Sequence, residues 1–248
     1  MTNADAEFLW DGRATQMSAA GKIEYVLESI LKMLQNDLMV VVESGCEMHG
    51  CGSGPNFTVS LLCMIACETV GALSAPTGVR KQQATRAFLG RVAHLADDDR
   101  YERLSRLLVA LFRNGIAHSF LPKQGQHLAA ETIWMRGCVD ELKMPGNLQV
   151  DFYRTAAHLV VVDKAGRLTL QVVSKILYLD VNLAIDEFAD RLRSLKPGTA
   201  AEADFVAAFD DWASANEKVE GRDYLTELER KLLDGTYHPV FRSRVSDR

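Results

Sequence analysis

The run Arg113-Asn114-Gly115-Ile116-Ala117-His118 sets a permanent cation and a titratable imidazole five residues apart, with a glycine between them. Arginine grips phosphate through a planar fork of donors and never loses its charge. Histidine alone among unperturbed side chains takes and gives protons between about pH 5 and 8. Together the two form a minimal kit for cleaving a phosphodiester without a metal. One holds the charge that builds on the phosphoryl oxygens, and the other moves the proton. Asn114 and His118 are helical i,i+4 neighbours, so the amide can hold the phosphate or orient the imidazole.

These residues close a patterned helix expected over Arg100 to Phe120. Leu104, Leu107, Leu108 and Leu111 recur at helical spacing and give it a core-facing stripe. At about 100° per residue, Arg103, Arg106 and Arg113 share a neighbouring face, and Arg106 is a supporting cation for the site. His118 falls at the near edge of the leucine face, and Pro122 limits how far the helix runs. A structural alternative stands beside this one. Arg113 can serve as a surface ion-pair partner, and His118 can cap the helix C-terminus, where the dipole favours a cation.

Arg113, its polar neighbour and His118 resemble the R-x(4–6)-H signature of the HEPN superfamily of helical ribonucleases. The fold class read from the sequence is mainly α: a helical bundle with an added β-hairpin and C-terminal helices, α+β overall. HEPN domains are such bundles, and the resemblance covers roughly 100 of the 248 residues. The resemblance implies a homodimer in which two R-x(4–6)-H motifs face one another. One His118 then acts as general base on a ribose 2′-hydroxyl and the other as acid on the leaving 5′-oxygen, while Arg113 steadies the phosphorane. It also implies RNA rather than DNA as substrate, no cofactor, and ends carrying 2′,3′-cyclic or 3′-phosphate. A defence or toxin–antitoxin setting, with a protein antitoxin or regulator as partner, follows from the same resemblance. The alternative from another class is a non-catalytic HEPN-like dimer that binds RNA, a nucleotide or a protein. A third is a structural dimer whose Arg/His pair staples helices.

Glu68 is an acid inside an apolar helix, and buried carboxylates are costly unless paired. It either supports the site, by pairing with Arg113 or fixing the His118 tautomer, or pairs elsewhere in the bundle. Cys46, His49 and Cys51 in a glycine-rich run, with Cys63 and Cys67 one turn apart, invite a zinc reading. Their spacing matches no standard zinc module, and Cys63 and Cys67 are better read as small core residues, so no metal is assigned. Walker, Rossmann, zincin and nucleophile-elbow motifs are all missing. His94, His127, His158 and His238 are isolated and read as surface or satisfied core histidines.

Around these residues the chain must supply positioning elements. The composition, 48% hydrophobic and 25% charged, is that of a globular protein with a sizeable core. Five cysteines, an odd count with three in apolar surroundings, suit a reducing compartment. The acidic N-terminus lacks a secretory pattern. The most apolar stretch, Leu61 to Ala75, is interrupted by Glu68 and reads as too short for a bilayer, so a cytoplasmic protein without membrane contact is expected. The net charge of −5 argues against a non-specific nucleic-acid coat. Its distribution matters more. Val79 to Lys123 holds nine Lys/Arg against four Asp/Glu, and Ile176 to Asp234 seven against fourteen. An anionic ligand would meet the basic middle, unless the two regions simply attract each other.

The organisation expected is an N-terminal arm (1–18), a helical core (19–122), a β-hairpin region with a packing helix (123–195) and a helical extension (196–248). Helices are expected from Ile23 to Leu38, with Met39 to Val42 ambiguous, and then over Phe57–Ser74, Lys81–Leu95 and Arg100–Phe120. Gly45 to Pro55 reads as a loop. Ala129 to Met135 and Leu148 to Tyr153 read as strands, and His158–Val162 with Arg167–Val172 as a hairpin closed at Gly166. Helices return at Ser174–Leu195, Ala201–Lys218 and Arg222–Asp234, with Lys196-Pro197-Gly198 as a stop.

Overall fold

The computed structural model describes residues 14–47, 56–113, 128–133, 146–164 and 166–217. Its first long helix, α1, joins Ala19–Tyr25, a π-type segment Val26–Leu31, and Lys32–Glu47. Ser18 caps it, its hydroxyl accepting from the Gly21 N–H at 3.1 Å. Met39 to Val42 is therefore helical, and so are Gly45 and Cys46, which the sequence placed in a loop. The apolar stripe running through Leu38 and Val42 carries the helix past the glycine. Inside α1, Lys22 is almost fully buried and donates to both carboxylate oxygens of Asp210 at 2.6 and 2.8 Å.

The helix α2 (Asn56–Ser74) lies at the centre, packed on α3 (Lys81–Leu95), α6 (Ser174–Arg193), α7 (Ala200–Glu217) and α1. By length and composition alone its 19 residues would suffice to cross a bilayer, contrary to the expectation from the shorter apolar stretch. Its setting is that of a core helix: Val59, Cys63, Met64, Ala66, Cys67 and Val70 are fully buried among the helices around it. Gly71 sets how closely α2 meets α3, because a Cβ there would lie 2.7 Å from the Ala84 carbonyl oxygen. At the end of α3 a Schellman turn puts Asp97 at φ 50°, with the Asp98 N–H bonded to the Ala93 carbonyl.

The next helix, α4, is not the single rod expected. It runs as Arg100–Arg103, breaks at Leu104, resumes over Ser105–Leu107 and widens into a π-type segment over Leu108–Arg113. One face nevertheless stays buried across the break and the wider turn. Tyr101, Leu108, Val109 and Phe112 are buried, whereas Leu104, Leu107 and Leu111 are only partly so. With Ser105 the buried positions keep helical spacing, so the buried face is centred beside the expected leucine stripe, of which Leu108 alone is fully buried.

The strands β1 (Leu128–Ile133), β2 (Val160–Lys164) and β3 (Arg167–Val173) form one sheet in the order β1-β3-β2. β2 and β3 are the expected hairpin, with Asp163 accepting from the Gly166 N–H and Gly166 at φ 81°. β1 adds parallel to β3, pairing Leu128 with Leu168 through Ile133 with Val173. The segment expected as a strand over Leu148–Tyr153 is instead part of helix α5 (Gly146–Ala156). Its alternating Leu148, Val150 and Phe152 mimic a strand. In fact Val150, Tyr153 and Ala157, at helical spacing, pack on Val173 and Ile176, and Phe152 is largely exposed. α6 and α7 match their expected positions, separated by the turn at Gly198 (φ 75°). The expected helix over Arg222–Asp234 and the N-terminal arm before Ala14 lie outside the described residues.

Candidate functional site

Arg113 ends the π-type segment of α4, while Asn114 and His118 lie outside the described residues. What the structure gives is the platform that leads to them. At its start α4 is bolted down by a buried polar network. Val173 N–H donates to His158 Nδ1 at 3.2 Å, which assigns the ring proton to Nε2. Nε2 lies 2.8 Å from the Tyr101 hydroxyl, which donates to Asp180 Oδ2 at 2.8 Å. Arg154 closes the chain with a two-pronged bond to Asp180, both prongs 2.7 Å. Beside it Arg100 grips Asp98 with two side-chain bonds of 2.7 Å and reaches the carbonyls of His158 and Arg154. Every member has a partner, so the network joins α4, α5, the sheet and α6 without a loose charge.

Burial decides the chemistry of this cluster. It pushes the His158 imidazole down to about 3, against the pull of Asp98, so the ring is neutral. It drives the Tyr101 hydroxyl well up, with the neighbouring Asp180 carboxylate adding to the effect. Burial raises Asp180 as well, although Arg154 and Tyr101 oppose it. For Asp98 burial also acts upward, but the Arg100 hydrogen bonds prevail and hold the carboxyl low. Tyr101 and His158 are fully buried. This is scaffold: of the two readings open for His158, surface or satisfied core histidine, the structure shows the second. Leu159 beside it is buried at φ 51°, a left-handed conformation costly for a branched residue.

The exposed side of α4 is different. Arg106 is exposed and lines an open cleft of about 810 Å³ between α3 and α4, shared with Arg80 and Arg86 of the α3 side. Arg103, expected on the same face, pairs with Asp99 at 2.6 Å. Positions 102, 105, 106, 109 and 110 line the cleft along α4. Glu68 sits on α2 with its side chain 18% exposed, its carboxylate 4.0 Å from Lys81 Nζ at the start of α3.

Cys63 and Cys67 are buried thiols, Cys67 pushed up to about 12 and Cys63 well above its usual value by the same burial. They are core residues rather than ligands. Among the described residues no group of three or more His, Cys, Asp or Glu side chains is arranged around a metal position. Cys51 and His49 lie outside the described residues, as do His127 and His238.

Arg80 and Arg86 were not singled out from the sequence, although the basic excess between Val79 and Lys123 pointed to their region. Arg154 and Asp180 gave no signal: their pairing spans two helices and no local spacing encodes it. No known protein family, no curated protein and no solved structure matches this chain.

Proposed function

We propose that this chain is a metal-independent endoribonuclease that acts as a homodimer through Arg113, Asn114 and His118. The observation that supports it best is the form of α4. The helix is anchored at its start by a buried network and is π-type over Leu108–Arg113, a deviation often found at functional sites. Its exposed flank meanwhile presents Arg106 to an open cleft.

In this reading His118 of one copy removes the proton of a ribose 2′-hydroxyl. The 2′-oxygen attacks phosphorus, the bond to the 5′-oxygen breaks, and the second copy's histidine protonates that oxygen. Arg113, supported by Arg106, steadies the phosphorane oxygens, and Asn114 orients the phosphate or the ring. Products are a 2′,3′-cyclic phosphate and a 5′-hydroxyl. Such an enzyme suits a defence or toxin–antitoxin role, with an antitoxin or regulator as protein partner.

The test is cleavage of varied RNAs in EDTA, with end-group analysis and a DNA control. Cleavage leaving cyclic phosphate, lost in His118→Ala, supports the reading. Activity abolished by chelation overturns it, as does a monomer alone in light scattering at micromolar concentration. The arginine cleft favours a second reading, because it can hold RNA without any catalytic histidine. RNA binding without cleavage by the wild type would select that reading.

A further inference from the structure

We propose that the cleft between α3 and α4 is a phosphate track for single-stranded RNA, holding the sugar–phosphate backbone on its way to Arg113 and His118; this rests on the ribonuclease reading. The first observation is how the arginines are partnered. Elsewhere Arg91 pairs with Glu187, Arg100 with Asp98, Arg103 with Asp99, Arg154 with Asp180 and Arg193 with Asp190. Arg80, Arg86 and Arg106 have no carboxylate within ion-pair distance among the described residues, and all three line one cleft. Among the described residues, the one hydrogen-bond partner of the Arg86 side chain is the Ser105 hydroxyl, at 3.4 Å. A guanidinium without a carboxylate keeps its fork of donors for an external anion.

The second observation is the helix end in the same cleft. α3 starts beside Arg80 with no acidic residue in its first turn and no side-chain cap. Its leading N–H groups add a positive dipole end, and Gln82 and Gln83 add neutral donors. Glu102 is the one carboxylate among the described lining residues, so the cleft is strongly cationic on balance.

The third observation sets the ligand class. No aromatic ring is among the described lining residues, and the apolar part of the wall is Ala87, Val109 and Ala110. Base recognition by stacking needs aromatic platforms, and none is offered. The cleft therefore holds phosphates, not bases, and tolerates any sequence. It is an open cleft whose α4 wall runs from Glu102 to Ala110, which suits a strand lying across the surface rather than an enclosed mononucleotide.

The test uses the full-length chain and a 2′-O-methyl oligouridine, which cannot be cleaved by attack of the 2′-oxygen. Binding is followed by fluorescence anisotropy across salt concentrations. Single-strand contacts contribute about 0.7 each to the slope of log affinity on log salt, so Arg80→Ala/Arg86→Ala should be shallower by about 1.4. Between about 50 and 200 mM salt the wild type should then lose about sevenfold more affinity than the variant. Both arginines lie at the surface, so the variant's melting temperature should match the wild type. On cleavable RNA its KM should rise with kcat kept. His118→Ala should bind as the wild type does while cleaving nothing. If His118→Ala still cleaves, the ribonuclease assignment fails while the binding result judges the track separately. An unchanged salt slope in the double variant overturns the track, as does failure of the wild type to bind the oligonucleotide. Equal or tighter binding of oligoglutamate at matched charge would overturn RNA in favour of an acidic protein partner.

Discussion

His158→Phe tests whether the buried network governs stability in the way its geometry requires. The folded imidazole is held down to about 3 by burial, whereas an unfolded histidine titrates near 6.5. Below pH 6.5 the unfolded chain therefore binds the extra proton and the folded chain does not, so stability falls as pH drops. The contribution is complete above pH 6.5 and is lost progressively toward pH 3, reaching about 5 kcal/mol over the full window. Between pH 7 and pH 5 this one group should cost about 2 kcal/mol. The Asp98 carboxyl, held low by Arg100, acts in the same direction but only in stronger acid, as pH falls through its folded value. Asp180, raised by burial, has the opposite sign: its contribution is present below the unfolded value and fades as pH rises through the folded one. Both groups are common to wild type and variant and drop out of the difference. At pH 7 the variant loses the acceptor for the buried Val173 N–H and should be less stable by about 1–3 kcal/mol. Urea melts at pH 7, 6 and 5 should show the two proteins converging, as acid costs the wild type more than the variant. A variant with the same loss between pH 7 and 5 would refute the buried neutral imidazole.

Tyr101→Phe removes a hydroxyl that joins His158 to Asp180, and should lower stability by about 2–4 kcal/mol, or roughly 5–15 °C in melting temperature for a chain of this size. Calorimetry at pH 7 reads it directly. Gly71→Ala gains about 1 kcal/mol of helix propensity but drives a methyl against the Ala84 carbonyl at 2.7 Å, so a net loss of about 1–2 kcal/mol is expected in urea titration. A neutral or stabilised variant would mean that α2 and α3 separate without strain. Cys63 and Cys67, buried with thiols driven up, should resist alkylation at pH 8 until denaturant is added, as peptide mapping would reveal.

The helices that bury one broad stripe were legible residue by residue. α3 begins and ends where its periodicity says, and the centrality of α2 follows from an apolar surface on nearly every side. Three features were not. α5 carries an alternating run of apolar residues, and only its distant partners, Val173 and Ile176, decide that Val150 and Tyr153 face inward on a helix. The break at Leu104 and the widening after Leu107 have no glycine or proline in α4 to announce them; the turns before Leu108 pack on α3 and the π-type segment on α2. The Arg154–Asp180 pair joins residues 26 apart on different helices. For the candidate site, the basic character of the middle region was readable from charge counts. Which of its arginines remain without carboxylates depended on the fold, because Arg103 and Arg106, one turn apart, have opposite fates.

The strand order β1-β3-β2 also has a consequence in time. During synthesis β1 leaves the ribosome about 40 residues ahead of Leu168, where its partner strand β3 begins, a wait of roughly 2–8 s at ordinary elongation rates of about 5–20 residues per second. β2 and β3 need no such delay, since a tight turn joins them. The hairpin therefore forms first and β1 is recruited to a finished edge. For those seconds Leu-Ala-Ala-Glu-Thr-Ile is a bare strand in a crowded cell, open to pairing with its neighbours on the polysome. Glu131, the charge in its middle, finds Lys164 only once the sheet is complete. Until then it is a gatekeeper: an unpaired carboxylate that makes stacking one nascent copy on another unfavourable. Replacing it would leave the folded sheet short of one surface ion pair, but its larger effect would fall on the yield of chains that reach that sheet at all.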